Sequence, residues 1–244
     1  MERDIRTDAV VTGTRHYGEL HKTVTLLSPQ LGSVNAVIFG GRKGKKSSLA
    51  PLFSFGTFQL YFNPVRQEYS LTEQECCFIP QTIMQDLNLT YTASYMSEAV
   101  TKISTDCPGA VYTLLCNALE KLETLPEMRK KLIIDFTWKL LQISGIASDM
   151  LHCPSCDRRY ADDEILGFSV SMTTPVCKEC ADSEFPVLPP GARRYLMYTL
   201  SKSFDDAFNV ILSDTAVSRL SSFMLKWVDI FCQNSLKTLS SGLL

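Results

Sequence analysis

Hydrophobic and polar positions change their period once along the chain. Up to about residue 80 the apolar residues come in short runs rich in β-branched and aromatic side chains: Ala9–Thr12, Thr23–Leu27, Val34–Phe39, Phe53–Phe62 and Tyr69–Phe78. Each run reads as a strand. Turn signals separate them, at Arg15–Gly18, Ser28-Pro29, Gly40–Ser48 and Asn63-Pro64. In the fourth run the alternation Phe53, Phe55, Thr57 passes out of phase into Phe58, Leu60, Phe62. That shift predicts a bulge near Gly56.

Beyond residue 80 the period becomes helical. Val111, Leu114, Leu115, Ala118, Leu119 and Leu122 share one helix face, and so do Leu132, Phe136, Leu140 and Ile143. Gly145 then stands where a residue just past a helix C-terminus is expected. Val217, Leu220, Met224, Trp227 and Phe231 form a third stripe. Met84–Thr105 and Ala192–Leu212 are expected as helices of weaker periodicity. The stripes read as a bundle core, with a partner groove as the other reading. Five strands in about 80 residues suit a small closed barrel, of which the OB-fold is one solution. The expected class is therefore α+β: a barrel over residues 1–80 and a helical domain over 81–244.

The helical part is interrupted at about 151–182 by a segment holding four of the nine cysteines. Cys153-Pro-Ser-Cys156 is followed by twenty residues and then by Cys177-Lys-Glu-Cys180. Two CxxC pairs at this separation predict one structural Zn2+ held by four thiolates, with no position left open for catalysis. Four reduced cysteines without metal is the other reading. A redox CxxC is disfavoured because no βαβ pattern surrounds either pair. The metal would supply cohesion to an excursion with little core of its own. His152 reads as a loop residue more readily than as a further ligand.

Charge is segregated. The whole chain has 24 basic and 26 acidic side chains, a net −2, which by itself speaks against a nucleic-acid partner. Yet Leu20–Gln67 contains Lys22, Arg42, Lys43, Lys45, Lys46 and Arg66 and no acid at all. The other residues carry 18 bases and 26 acids. A +6 stretch in an otherwise acidic chain points to a polyanion contact, or to a solvated loop that keeps the protein in solution. Arg42, Lys43, Lys45 and Lys46 are the expected phosphate contacts, with Arg15, Lys22 and Arg66 extending the strip. His16 and Tyr17 could stack on bases, and Tyr17 could equally be packed inside.

Other chemistry is missing. There is no P-loop spacing in the glycine and lysine run, no GxSxG, and no HxE beside the CxxC pairs. The absence of a catalytic constellation favours a binding protein over an enzyme. A mean hydropathy of +0.02, no apolar run long enough to span a bilayer and no signal-like N-terminus lead to the expectation of a cytoplasmic protein with no membrane contact.

The stretch Arg15-His16-Tyr17-Gly18-Glu19-Leu20-His21-Lys22, running into Thr23–Ser28, resembles the start of the RecO recombination-mediator proteins. The loop Gly40–Ser47, Leu140-Leu141 before Gly145, and the CxxC pairs around Gly167-Phe168-Ser169 resemble the same family. Two departures stand out. Members often have Gly after the first CxxC, where this chain has Asp157. They often have a Gly pair before the second, where it has Thr173-Thr174-Pro175. Both bear on knuckle turns more than on ligation. The resemblance implies an N-terminal OB-fold, a helical domain with a zinc module, and a DNA repair role near the bacterial nucleoid. It implies binding of single- and double-stranded DNA, strand annealing and, with RecR, loading of RecA onto DNA coated by single-stranded-DNA-binding protein. It also implies binding of that protein's acidic C-terminal tail, for which Arg193, Arg194, Lys202 and Lys226 are available bases. The alternative is a zinc-stabilised protein-interaction scaffold without direct DNA binding.

Overall fold

A computed structural model describes residues 3–244 except 43, 104 and 243, with nothing given for the side chains of Lys45 and Phe185. Five strands come first: β1 (Asp4–Tyr17), β2 (His21–Ser28), β3 (Gly32–Ile38), β4 (Phe55–Asn63) and β5 (Glu68–Phe78). They close into a barrel in the order β1-β2-β3-β5-β4, with β3 and β5 parallel and every other pair antiparallel. This is the OB-like barrel that the strand runs suggest. Alternate residues fill it: Val24 and Leu26 of β2, Ala36 and Ile38 of β3, Phe58 and Leu60 of β4.

The register of β4 against β5 slips between Phe55 and Gly56, where the change of phase predicts a bulge. A Cβ at Gly56 would lie 2.2 Å from the carbonyl oxygen of Glu75, so only glycine lets the strands approach there. The strand starts two residues later than its apolar run, because Phe53 takes the left-handed φ of +64°.

Three helices follow: α1 (Thr82–Gln85), α2 (Leu87–Lys102) and α3 (Pro108–Thr124). Asp86 breaks the first predicted helix by leaving helical backbone geometry, and its carboxylate accepts from Leu89 N at 3.0 Å to cap α2. α3 packs on β1 and β2, where Val10 and Leu27, paired across the two strands, are buried. By compactness the chain divides into 1–101 with 105–126 and 102–104 with 127–244, so α1–α3 belong with the barrel. The change of periodicity at residue 80 therefore marks the end of the strands and not the end of the compact unit.

The second unit holds α4 (Arg129–Ile143), α5 (Pro190–Thr199), α6 (Phe204–Phe208), α7 (Asp214–Phe231) and α8 (Lys237–Ser240). A three-stranded sheet, order β7-β6-β8, lies between α4 and α5 in sequence: β6 (Leu166–Ser169), β7 (Thr174–Val176) and β8 (Ser183–Leu188). The helix expected over 192–212 is two helices, since Ser203 ends the run by accepting from Asp206 N and starting α6. Trp138 of α4 and Trp227 of α7 are both fully buried, 6.0 Å apart, and Phe168 of β6 meets Trp227 edge-on at 6.1 Å. The stripes on α4 and α7 are thus core in this unit. No helix among the described residues is long and apolar enough to cross a membrane.

Candidate metal centre and nucleic-acid interface

The four cysteines converge. The Sγ atoms of Cys153, Cys156, Cys177 and Cys180 all lie within 4.8 Å of one another, and Cys156 and Cys177 are 3.8 Å apart. A tetrahedral ion with metal–sulfur bonds of ~2.3 Å has sulfur–sulfur edges of ~3.8 Å. Cys153 and Cys177 are buried and Cys156 is exposed. Burial raises the Cys153 thiol, but the backbone N–H groups of Cys177, Cys156 and Ser155 outweigh it and bring the group down to about 6. Burial pushes Cys177 up to about 12. Sulfurs this close cannot all be charged unless a cation joins them, so the donor set fits a thiophilic metal ion and leaves no ligand position open.

Each of the two departures from the family pattern includes a residue at a left-handed turn position. Asp157 takes a left-handed φ of +59° and Thr173 one of +52°. These are positions where glycine costs nothing and a β-branched residue is strained. Thr173 is held there by its carbonyl, which accepts from Trp227 Nε1 at 2.8 Å. Arg158 ties the knuckles together: it grips Glu164 with two bonds of 3.0 and 2.7 Å and Glu179, beside the second CxxC, at 3.0 Å. Nothing in the CxxC spacing announces this clamp. His152 pairs with Asp149 at 3.2 Å and stands outside the metal cluster.

The second site is one rim of the barrel. There the β1–β2 turn and the loop after β3 meet. Arg42 N donates to Leu20 O at 3.2 Å, and Arg42 Nη1 donates to Glu19 O at 2.9 Å and Gly18 O at 3.3 Å. Gly40 N donates to His21 Nδ1 at 3.1 Å, and the His21 ring meets Phe39 edge-on at 5.2 Å and Tyr17 at 6.3 Å. Tyr17 is 50% and Phe39 42% exposed. Tyr17 is thus not packed inside, and Phe39, which strand alternation hides as one more apolar residue, joins it on the rim.

The seven expected basic residues do not form one strip. Arg15, Arg42 and Lys46 are exposed, and the first two lie by this rim. Lys22 is drawn inward: its Nζ donates to Leu49 O at 2.6 Å, and burial lowers its pKa. Arg66 pairs with Glu68 at 3.5 Å in the β4–β5 turn. Pairing of Tyr69 with Ala36 puts that turn toward the Gly32 end of β3, whereas the basic loop leaves the Ile38 end. Lys43 lies outside the described residues, as does the side chain of Lys45.

Comparison with known proteins agrees with this architecture. The profile described as "Recombination protein O N terminal" matches residues 1–79, and "Recombination protein O C terminal" matches residues 84–240. The chain is similar to the DNA repair protein RecO of Bacillus subtilis (strain 168), with 27% identity over 195 residues, 77% of this chain and 74% of that one. Its similarity to RecO of Alkaliphilus metalliredigens (strain QYMF) is 26% over 184 residues, 72% of each. With RecO of Bacillus cereus (strain AH187) it is 24% over 246 residues, 96% and 94%. With the two profiles together covering residues 1–79 and 84–240, around a five-stranded barrel and a four-cysteine helical unit, the chain belongs to the RecO family of DNA repair proteins.

Proposed function

We propose that this protein is a recombination mediator that binds DNA backbones without sequence preference, anneals complementary strands and works without a covalent step. The observation that carries the reading is the barrel rim. Exposed Arg15 and Arg42 lie beside a Tyr17–His21–Phe39 aromatic group, and Arg42 and the exposed Lys46 fall within residues 20–67, a stretch of 48 that lacks any acid. Cations meet phosphates and aromatic faces meet bases, which is how small barrels hold single strands of any sequence. Neutralising two backbones lowers their repulsion and raises their local concentration, and free bases then pair. In this reading residues 1–80 hold the strands, and 81–244 carry the contacts to RecR and to the tail of single-stranded-DNA-binding protein on the way to RecA loading. The ion of the cysteine cluster is Zn2+, bound by Cys153, Cys156, Cys177 and Cys180, and its role is cohesion. The working compartment is the bacterial cytoplasm.

One observation favours a second reading, a protein-interaction scaffold. Lys22 and Arg42 spend donors on the barrel's own carbonyls, as structural loops do. Strand annealing separates the two. Complementary oligonucleotides coated with single-stranded-DNA-binding protein are mixed without nucleotide, and duplex formation is followed with and without the zinc-loaded protein. Faster annealing supports the mediator. Unchanged annealing by folded protein leaves the scaffold.

A further inference from the structure

Among the described residues the second unit buries three charged side chains, and only two of them answer each other. Lys131 pairs with Asp135. The third, Arg193 in the first turn of α5, is 3% exposed and has no carboxylate partner. Its Nη2 donates to the carbonyl oxygens of Ala161 at 2.5 Å and Asp162 at 3.2 Å. Its guanidinium lies over the Tyr160 ring, 5.4 Å from the centroid. Nε and Nη1 are buried and have no hydrogen-bond partner. Two carbonyl dipoles and a ring face offset part of the desolvation. Two idle nitrogens, carrying three N–H donors between them, and an uncompensated cation are costly to keep inside a protein unless something completes them.

Arg193 borders a cavity of about 310 Å³, whose rim carries Arg159 and Arg194. Both are exposed, and among the described residues neither forms an ion pair. Arg194 has one long bond, 3.5 Å, to Asp162 O. Among the described residues Asp162 is the one acid of the lining, and its backbone carbonyl accepts from both Arg193 and Arg194. Three guanidiniums against one carboxylate leave the cleft with a formal +2. The exposed guanidiniums of Arg159 and Arg194 offer planar donor forks that match the oxygens of a tetrahedral dianion, with the buried Arg193 charge in the same lining.

We propose that the cleft framed by Arg159, Arg193 and Arg194 binds a phosphate group. It is a different site from the barrel rim, built wholly from residues 150–197, and it stands whether or not the rim holds DNA. The phosphate is either a free ion or a phosphate of a nucleic-acid strand.

The test uses the full, zinc-loaded chain and inorganic phosphate. Thermal unfolding is followed as phosphate replaces chloride at constant ionic strength. At ten times its Kd, phosphate should favour the folded state about elevenfold, an upward shift on the order of 3–5 °C. The variant Arg159→Met/Arg194→Met changes only exposed side chains, so it should fold and lose the shift. Arg42→Glu/Lys46→Glu on the barrel should keep it. Arg193→Lys, which retains charge without the fork, should weaken phosphate at least tenfold. Competition with a short single-stranded oligonucleotide, read by the phosphorus resonance of bound phosphate, separates the sources. Displacement assigns the site to a strand, and no displacement assigns it to the free ion. The proposal is overturned if phosphate gives no more stabilisation than chloride, or if the shift survives in both the Arg159/Arg194 and Arg193 variants. It is overturned equally if a peptide with a free C-terminal carboxylate gives the shift and phosphate does not.

Discussion

The two compact units solve the problem of a stable interior in opposite ways. The barrel unit buries apolar residues and a few hydroxyls, and among its described residues no charged side chain is buried. The second unit buries Lys131, Asp135 and Arg193 and gathers four thiols around one point. A barrel closes its backbone hydrogen bonds on itself and needs only alternation to fill its inside. The second unit joins short helices to a small sheet, and polar groups at its seams fix which element meets which. Chain connectivity and packing hold the first unit. Specific pairs hold the second, so it should be the more fragile to single changes.

The largest effect expected is at the cysteine cluster. In small metal-bound modules the ion supplies most of the folding free energy, on the order of 10 kcal/mol. Chelation, or Cys153→Ser, should abolish amide protection over Leu151–Leu188 and open that segment to protease. Strands β1–β5 should keep their protection, as hydrogen exchange read by mass would show. Equal loss of protection in the barrel would end the comparison drawn above.

Next is the buried pair. Lys131 Nζ lies 2.5 Å from Asp135 Oδ2, 2.6 Å from Tyr195 Oη and 3.0 Å from Ala207 O, and Tyr195 Oη donates to Asp135 Oδ1. One network thus joins α4, α5 and the C-terminal part of α6. Asp135→Ala strands a lysine cation and should cost about 3–5 kcal/mol in denaturant unfolding. Lys131→Met combined with Asp135→Leu removes both charges and should recover most of that loss. If the double variant is as unstable as the single one, the network is more than a satisfied pair, and the contrast between the units sharpens.

What could be read from the sequence follows the same division. Every strand of the barrel shows in its apolar runs, and the bulge at Gly56 shows in their phase, because alternation is a property of one strand and its two faces. The metal centre shows because thiolates at CxxC spacing have few other uses. Lys131, Asp135 and Arg193 do not show. Lys131 and Asp135 are spaced like an ordinary surface i,i+4 pair, and only Tyr195, far along the chain, reveals them as interior. Arg193 looks like one more base on an exposed helix face. Arg66 shows the converse limit: sequence proximity to the basic loop says nothing about the shear of the barrel, which carries it to the other end of β3.

A smaller effect is expected at the rim. Arg42→Glu/Lys46→Glu should weaken single-stranded DNA of every sequence alike. It should also flatten the slope of log K against log salt by about 1.4, at about 0.7 per lost phosphate contact. Loss that depends on base sequence would mean that the rim reads bases and does not merely hold backbones.

The smallest effect tests whether the barrel unit uses charge at its surface alone. Glu123 of α3 accepts from Gln81 N at 2.8 Å, Thr82 N at 2.6 Å and Ile83 N at 3.0 Å, which satisfies the start of α1 from another helix. Partial burial would raise its pKa, but those three N–H bonds outweigh it, and the carboxyl is held below its usual range. A depressed folded pKa means stability that is present above the unfolded value, about 4.3, and lost as pH falls through the folded one. Glu123→Gln keeps the shape and removes the charge. Because the group is only partly buried, the cost at pH 7 should be about 1 kcal/mol, the size of a helix cap discounted for solvent screening. Near pH 3 the variant and the parent should converge. A cost several times larger, or one that persists unchanged at pH 3, would show that the barrel unit too depends on a specific charged contact, and the contrast with the second unit would become one of degree.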